Sequence, residues 1–194
     1  LYNASLGLEL NDSISIFAGT QMGLEDSGTA PESAVNRNDQ LPATRSTQYE
    51  AGMRWKFHGG QLAINAFQIT KPYFSFDQTR TFVAVGTLQQ RGLEASLSGK
   101  FGERLAVVAG AVATRPRVID RLPGVGARPA GMPSLYARMD INYRTGIFGG
   151  LTPTATISHT GARALSAGPL ASLGGEQLLV PGYTTLDLGL RQSF

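Results

Sequence analysis

Ser46-Thr-Gln-Tyr-Glu-Ala-Gly-Met-Arg-Trp-Lys-Phe57 decides the fold. Side chains of a β-strand alternate between its two faces. One set is then Thr47, Tyr49, Ala51, Met53, Trp55 and Phe57; the other is Ser46, Gln48, Glu50, Gly52, Arg54 and Lys56. The second set carries charges that a dry sandwich core could not hold unpaired. The first ends in large aromatics. A strand apolar on one side and wet on the other suits the wall of a membrane barrel. A surface strand of a soluble antiparallel sheet shows the same alternation, so this segment alone leaves both open.

Outward from that stretch the pattern repeats. Leu6, Leu8 and Leu10 alternate with Ser5, Gly7 and Glu9, ahead of the turn pair Asn11-Asp12. Ser13 to Gly23 sets Ile14, Ile16 and Ala18 on one face, with Phe17 out of phase. After the hairpin signal His58-Gly59-Gly60, Gln61 to Thr70 is ambiguous. There Leu62, Ile64 and Ala66 compete with Phe67 and Ile69. Gln89 to Phe101 opposes Leu93, Ala95, Leu97 and Phe101 to Gln90, Glu94 and Lys100. Arg104 to Arg115 is almost wholly small and apolar. Ser134 to Arg144 opposes Leu135, Ala137, Met139, Ile141 and Tyr143 to Arg138, Asp140 and Asn142. Leu151 to His159 follows, its Pro153 needing an edge, bulge or strand start. Tyr183 to Phe194 closes the series, with Leu186, Leu188, Leu190 and Phe194 opposite Asp187 and Arg191.

This predicts an all-β chain of about nine antiparallel strands. The connections alternate between short and long. The long ones are expected near Leu24–Arg45, Lys71–Leu88 (part of which can extend the flanking strands), Pro116–Pro133 and Thr160–Gly182. Outer-membrane barrels follow that rule, with short periplasmic turns and long outer loops. Trp55, Phe57, Phe101, Tyr143, Phe148 and Phe194 all lie beside short turns or at the chain end, as an interfacial girdle requires.

Composition agrees. Of 194 residues 42% are hydrophobic, mean hydropathy is −0.07, and no run approaches a transmembrane helix. Alternating barrel strands average to neutral hydropathy. Lys and Arg number 17 against 14 Asp and Glu, and the basic residues are scattered, which argues against nucleic-acid binding. There is no Cys, so disulfides, Cys-based metal sites and thiol nucleophiles are excluded. The first residues read as the middle of a strand, which predicts part of a longer chain.

Several motifs resemble the TonB-dependent siderophore receptors. Leu41-Pro42 followed by Gln48-Tyr49-Glu50-Ala51-Gly52-Met53 resembles that family's L-P-E … Q-Y-E-x-G-V-K segment. Ala66-Phe67-Gln68-Ile69-Thr70-Lys71 is similar to its A-L-F-x-I-x-K strand, and Gln90-Arg91-Gly92-Leu93-Glu94 to its S-R-G-V-E strand. Pro181-Gly182-Tyr183 with Asp187 resembles P-G-Y-x-x-x-D before the last strand. The terminal Phe194 resembles the aromatic end presented to the barrel-assembly machinery. The resemblance implies a 22-stranded barrel around an N-terminal plug. Residues 1–194 would be the last nine strands, with plug and TonB box outside this stretch. It further implies an outer-membrane location in a Gram-negative bacterium. On the same resemblance lipid would surround the barrel and a ferric siderophore would be the transported ligand, with no directly bound cofactor. The TonB complex would act through the plug.

No catalytic constellation stands out, and the chain is read as a non-enzyme. Ser158-His159 lacks a triad context. Two lone His residues, His58 and His159, do not make a metal site. Gly124-Val-Gly126 reads as loop. Glu50, Arg54, Glu94, Arg138, Asp140, Asp187 and Arg191 are expected to face the lumen, as interior charge pairs or plug contacts. Tyr73, Phe74 and Phe76 are expected in an outer loop, stacking on a ligand or forming an upper girdle. Two other readings stay open. One is a small closed eight-stranded barrel from Ser13 to Phe194; the other is a soluble β-sandwich binding module.

Overall fold

The computed structural model describes residues 1–147 and 150–192. The organising stretch is strand β3 (Thr44–Phe57). Around it lie β1 (Tyr2–Glu9), β2 (Ile14–Glu25), β4 (Gly60–Phe76), β5 (Phe82–Phe101) and β6 (Leu105–Ile119). Beyond them come β7 (Leu135–Tyr143), β8 (Thr152–Thr160) and two-residue strands β9 (Arg163–Ala164) and β10 (Leu179–Val180). The series ends with β11 (Tyr183–Arg191). Among the described residues the only helix is a 3₁₀ turn at Ala171–Leu173.

Nine strands form one antiparallel sheet in the order β1-β2-β3-β4-β5-β6-β7-β8-β11, and β9 pairs with β10 separately. The sheet is an open meander. Among the described residues β1 pairs only with β2, and β11 only with β8. This overturns the small closed barrel. It also overturns the sandwich, because among the described residues the one further sheet is the two-stranded β9–β10 pair.

Register resolves the ambiguous phases. Ala51 of β3 faces Ala18 and Ala66, and Met53 faces Ile16 and Ile64. The row continues through Ala95 and Ala111 to Ala137. Leu62, Ile64 and Ala66 therefore lie on the apolar face. Phe17, Phe67 and Ile69 lie on the polar face, where Phe17 stands opposite Gly52 and Phe67 opposite Gly92. A Cβ on Gly52 would come within 2.7 Å of the Phe17 ring; one on Gly92 would come within 2.7 Å of the Phe67 ring. Each ring thus occupies the space its opposite glycine leaves empty.

Strand ends differ from the expectation most between β4 and β5; in addition β6 runs on to Ile119, past the expected end at Arg115, and β9 and β10 lie within the Thr160–Gly182 connection. The stretch from Lys71 to Leu88 is not a long loop. β4 and β5 run on to Phe76 and Phe82, leaving only residues 77–81 as the connection. A register shift between Tyr73 and Phe74 bulges the pair there. Val85 on β5, together with Val118, is 1% exposed, covered by loop residue Val125. With both sides covered, the alternation disappears from the sequence. The opposite end of the sheet has tight turns. That at His58-Gly59 relies on Gly59, whose φ is +86°.

Burial is confined to the loop end. Buried apolar residues are Ala30, Ala34, Leu41, Val85, Leu88, Val118, Val125 and Ala164. A compact 20.6 kDa monomer exposes about 8,900 Å². This chain exposes 12554 Å². The difference is sheet surface that the chain does not cover itself.

Candidate functional site

The polar face and the loop cluster at its long-connection end form the candidate site. Glu50, Arg54, Glu94, Arg138, Asp140, Asp187 and Arg191 all occupy polar-face positions. Glu50 lies opposite Gly19 and Phe67, Arg54 opposite Ser15 and Ala63, and Glu94 opposite Asn65 and Val112. Arg138 lies opposite Ser158, Asp140 and Asp187 flank Thr156, and Arg191 faces Thr152.

Two clusters of hydrogen bonds organise this face. Gln21 Nε2 donates to Gln48 Oε1 at 3.4 Å, and Gln48 Nε2 to Glu50 Oε2 at 3.1 Å. Further along, the Arg138 guanidinium forks onto Asp140, with both nitrogens 2.9 Å from carboxylate oxygens. Thr156 Oγ1 donates to the same carboxylate at 2.6 Å. Arg138 and Asp140 are two residues apart on one strand, so the pleat places them side by side. Arg191 Nη2 reaches Asn142 Oδ1 at 3.1 Å.

The loops above form a linked belt. Asn36 clamps Phe82 by both amide atoms: Nδ2 donates to its carbonyl at 3.1 Å, and Oδ1 accepts its N–H at 2.8 Å. Gln78 Nε2 donates to the Pro123 carbonyl at 3.4 Å. Gln177 grips Arg128 in the same two-way manner, at 3.0 and 2.8 Å, and also donates to the Ser166 carbonyl. Loops 26–43, 77–81, 120–134 and 161–182 are thereby joined in series. Sequence reading missed Asn36 and Gln177 as clamps. Their partners lie 46 and 49 residues away, so no local pattern marks them.

The aromatic trio divides by role. Tyr73 packs beside Val85, Val118 and Val125, and its hydroxyl accepts the Ala130 N–H at 3.2 Å. Phe74 packs against Ala30, Ala34 and Leu41 and stacks on Phe82. Phe76 is 37% exposed and meets Phe82 edge-on. At the opposite end of the apolar face, Trp55, Phe57 and Phe101 form a chain of rings with centroids 5.4 and 6.1 Å apart. Phe148 and Phe194 lie outside the described residues.

Chemistry other than binding has little to work with. Ser158 is on the polar face and His159 on the apolar one, where Nδ1 lies 2.8 Å from Thr184 Oγ1. They therefore do not form a dyad. Among the described residues no three His, Asp or Glu gather as a metal site. At the loop tip, Asp77 accepts the Thr79 hydroxyl at 2.7 Å and the Thr81 N–H at 2.8 Å. The Thr79 hydrogen bond, then that from Thr81, holds the Asp77 carboxyl below its ordinary range.

Comparison with known proteins gives this architecture its relatives. The chain spans 97% of its own length on BauA, the ferric preacinetobactin receptor of Acinetobacter baumannii, at 26% identity and a TM-score of 0.73. On FyuA, the ferric yersiniabactin uptake receptor of Yersinia pestis, it spans 97% at 21% identity and a TM-score of 0.76. On PiuA, a siderophore receptor of A. baumannii, it spans 98% at 16% identity and a TM-score of 0.75. The last two likenesses speak for fold alone. The chain covers only 28%, 29% and 29% of those three proteins. Among curated protein sequences none matches it. The family profile for the TonB dependent receptor-like β-barrel matches residues 1–194, from end to end. This chain belongs to the TonB-dependent receptor β-barrel family.

Proposed function

We propose that this chain is the C-terminal wall of a Gram-negative outer-membrane receptor that imports a ferric siderophore. The observation that carries the reading is the open sheet with one uncovered apolar face and one charged face. Lipid would cover the first, and a plug and lumen water the second. The unpaired edges of β1 and β11 support a larger closed barrel, since lipid does not tolerate open edges. A count of 22 strands, with these as the last nine, fits that completion.

In this reading the TonB complex supplies energy through the plug, and ferric siderophore is cargo rather than cofactor. The charged residues from Glu50 to Arg191 line the lumen and contact the plug. The loop belt forms part of the mouth. Phe76, the most open of the aromatic trio, is the ligand contact; Tyr73 and Phe74 hold the loops that carry it. Phe194 serves as the assembly signal. Binding and gated passage are the work, with no bond made or broken.

The test is uptake of radiolabelled iron by iron-starved cells carrying the full-length gene, its deletion, and Phe76→Ala. Deletion should abolish uptake of one siderophore class, and Phe76→Ala should weaken its binding. Unchanged uptake across a panel of ferric siderophores on deletion would refute the reading.

A further inference from the structure

Every polar-face position of β8 carries a hydroxyl. Thr152, Thr154, Thr156, Ser158 and Thr160 stand in one line along the strand. Alternate residues are roughly 6.6 Å apart, so the line runs for about 26 Å. That is most of the roughly 30 Å hydrocarbon thickness of a bilayer. Thr152 Oγ1 donates to the Gly150 carbonyl at 3.0 Å, and Thr156 Oγ1 to Asp140. The side chains of Thr154, Ser158 and Thr160 make no hydrogen bond among the described residues. Gly189 stands opposite Thr154 and keeps its hydroxyl open, since a Cβ there would lie 2.6 Å from Thr154 Oγ1.

The strands on either side of β8 satisfy much of their own charge. Arg138 of β7 is forked onto Asp140, and Arg191 of β11 reaches Asn142. Tyr136 and Tyr183 flank Thr160 at the top of the line, and both are exposed.

The polar face of β2 to β5 differs. Arg54, Lys56, Glu94 and Lys100 are exposed there, and none has an ion pair or side-chain hydrogen bond among the described residues. The Phe17 and Phe67 rings occupy the same sector, opposite Gly52 and Gly92. A domain lying against the wall gains most where it can pair charges that lack partners and fill the space between rings. It gains least where the wall's own groups already hold one another.

We infer that the inner face of β7, β8 and β11 is the side on which the plug parts from the wall, and that the cargo descends along the β8 hydroxyls. The inference rests on the receptor reading above. The occupant is a chelate bearing oxygen donors and acceptors, as a ferric siderophore does. A hydroxyl both donates and accepts and turns to suit its partner, so it holds such a solute whatever the sign of its charge. Passage requires sites that are several and weak enough to leave. A chelate wider than one step reaches the next hydroxyl before it releases the last. A line of unpaired charges would instead hold an ionic chelate at one level.

The chain has no Cys, so single thiols can be placed on it. The test uses the full-length receptor in mild detergent, with Cys elsewhere replaced by Ser. Ser96 and Ser158 lie in one cross-strand row, joined through Gly110 and Arg138. Within this chain Ser96 is exposed and Ser158 half-buried. A faster thiol at 158 can therefore come only from what covers the two positions. Ser158→Cys should react with N-ethylmaleimide at least tenfold faster than Ser96→Cys, each rate normalised to the urea-unfolded protein. Slow reaction at 158, whether equal to that at 96 or slower, would overturn the inference alone. Fast reaction at both would mean that no domain covers the wall, and the plug reading would fall with it. In cells, the probe is the panel siderophore whose uptake the deletion abolishes, loaded with radiolabelled iron. Ser158→Trp should cut its uptake at least tenfold with binding to whole cells unchanged. Ile157→Trp, the next residue and on the lipid side, should change neither. Wild-type uptake by Ser158→Trp would overturn the inference and leave the receptor reading standing.

Discussion

Gly92→Ala should destabilise the wall, and its size follows from what surrounds the missing side chain. A Cβ there would sit 2.7 Å from the Ala113 carbonyl oxygen and 2.7 and 2.9 Å from two carbons of the Phe67 ring. Ordinary contact begins at 3.4 Å, so the shortfall is about 0.7 Å on two sides. The ring can shift, but the carbonyl belongs to the β5–β6 ladder and is held by its register. Overpacking of this kind costs about 1–3 kcal/mol. Gly110 supplies the control. It is also on the polar face, yet its Cβ would meet only the Ala95 carbonyl oxygen, at 3.9 Å. Gly110→Ala should therefore be neutral or stabilise by up to about 1 kcal/mol, through lost freedom of the unfolded chain. The assay is urea unfolding of the full-length protein in micelles, followed by tryptophan fluorescence. Adding Phe67→Leu to Gly92→Ala should recover part of the loss, with a coupling of at least about 0.5 kcal/mol. If Gly92→Ala unfolds no earlier than Gly110→Ala, the ring-over-glycine account is refuted.

Met53→Arg, in the apolar row between Ile16 and Ile64, should cost about 2–4 kcal/mol in a bilayer, whereas Glu50→Gln on the other face should leave the folded fraction nearly unchanged. Cold gel mobility of folded and unfolded forms reads both. Tyr73→Phe removes the acceptor for the Ala130 N–H, so exchange at that amide should quicken by an amount matching about 0.5–1.5 kcal/mol. Asp77 sets a pH dependence of the β4–β5 tip. Its pKa is depressed in the folded loop, so its stabilisation is fully present above the ordinary Asp value of about 3.9 and fades as pH falls through the lower folded value. Asp77→Asn should flatten that acid dependence of amide protection at Thr79 and Thr81.

Local alternation made much of this fold legible. β3 and β7 were readable because each has a clean apolar set facing a clean polar one, and their observed limits lie close to the expected ones. Phe17 and Phe67 were not readable in phase. What lets an aromatic sit on the polar face is a glycine on the next strand, 35 residues away for Phe17 and 25 for Phe67. The Lys71–Leu88 region failed for a different reason. Loop residues cover its strands, so apolar side chains occur at successive positions and the two-residue period vanishes. The charged candidates from Glu50 to Arg191 could be placed on one face from parity alone. The cavity lined by Arg115, Arg117, Arg121, Arg128 and Arg163 could not, because those residues join only through strand register and loop closure.

The unequal strand lengths shape how the receptor proposed here meets the outside world. β5 has 20 residues, while β7 and β8 have 9 each. At about 3.3 Å per residue, that difference spans roughly 36 Å. The wall has a skyline, tall at β4 and β5 and low at β7 and β8. Loop 120–134 nonetheless reaches the tip at residues 77–81, since Gln78 Nε2 donates to the Pro123 carbonyl at 3.4 Å. On the side of β7 and β8 the height of the wall therefore comes from loops 120–134 and 161–182, held by side-chain bonds of Gln78 and Gln177 rather than by a strand ladder.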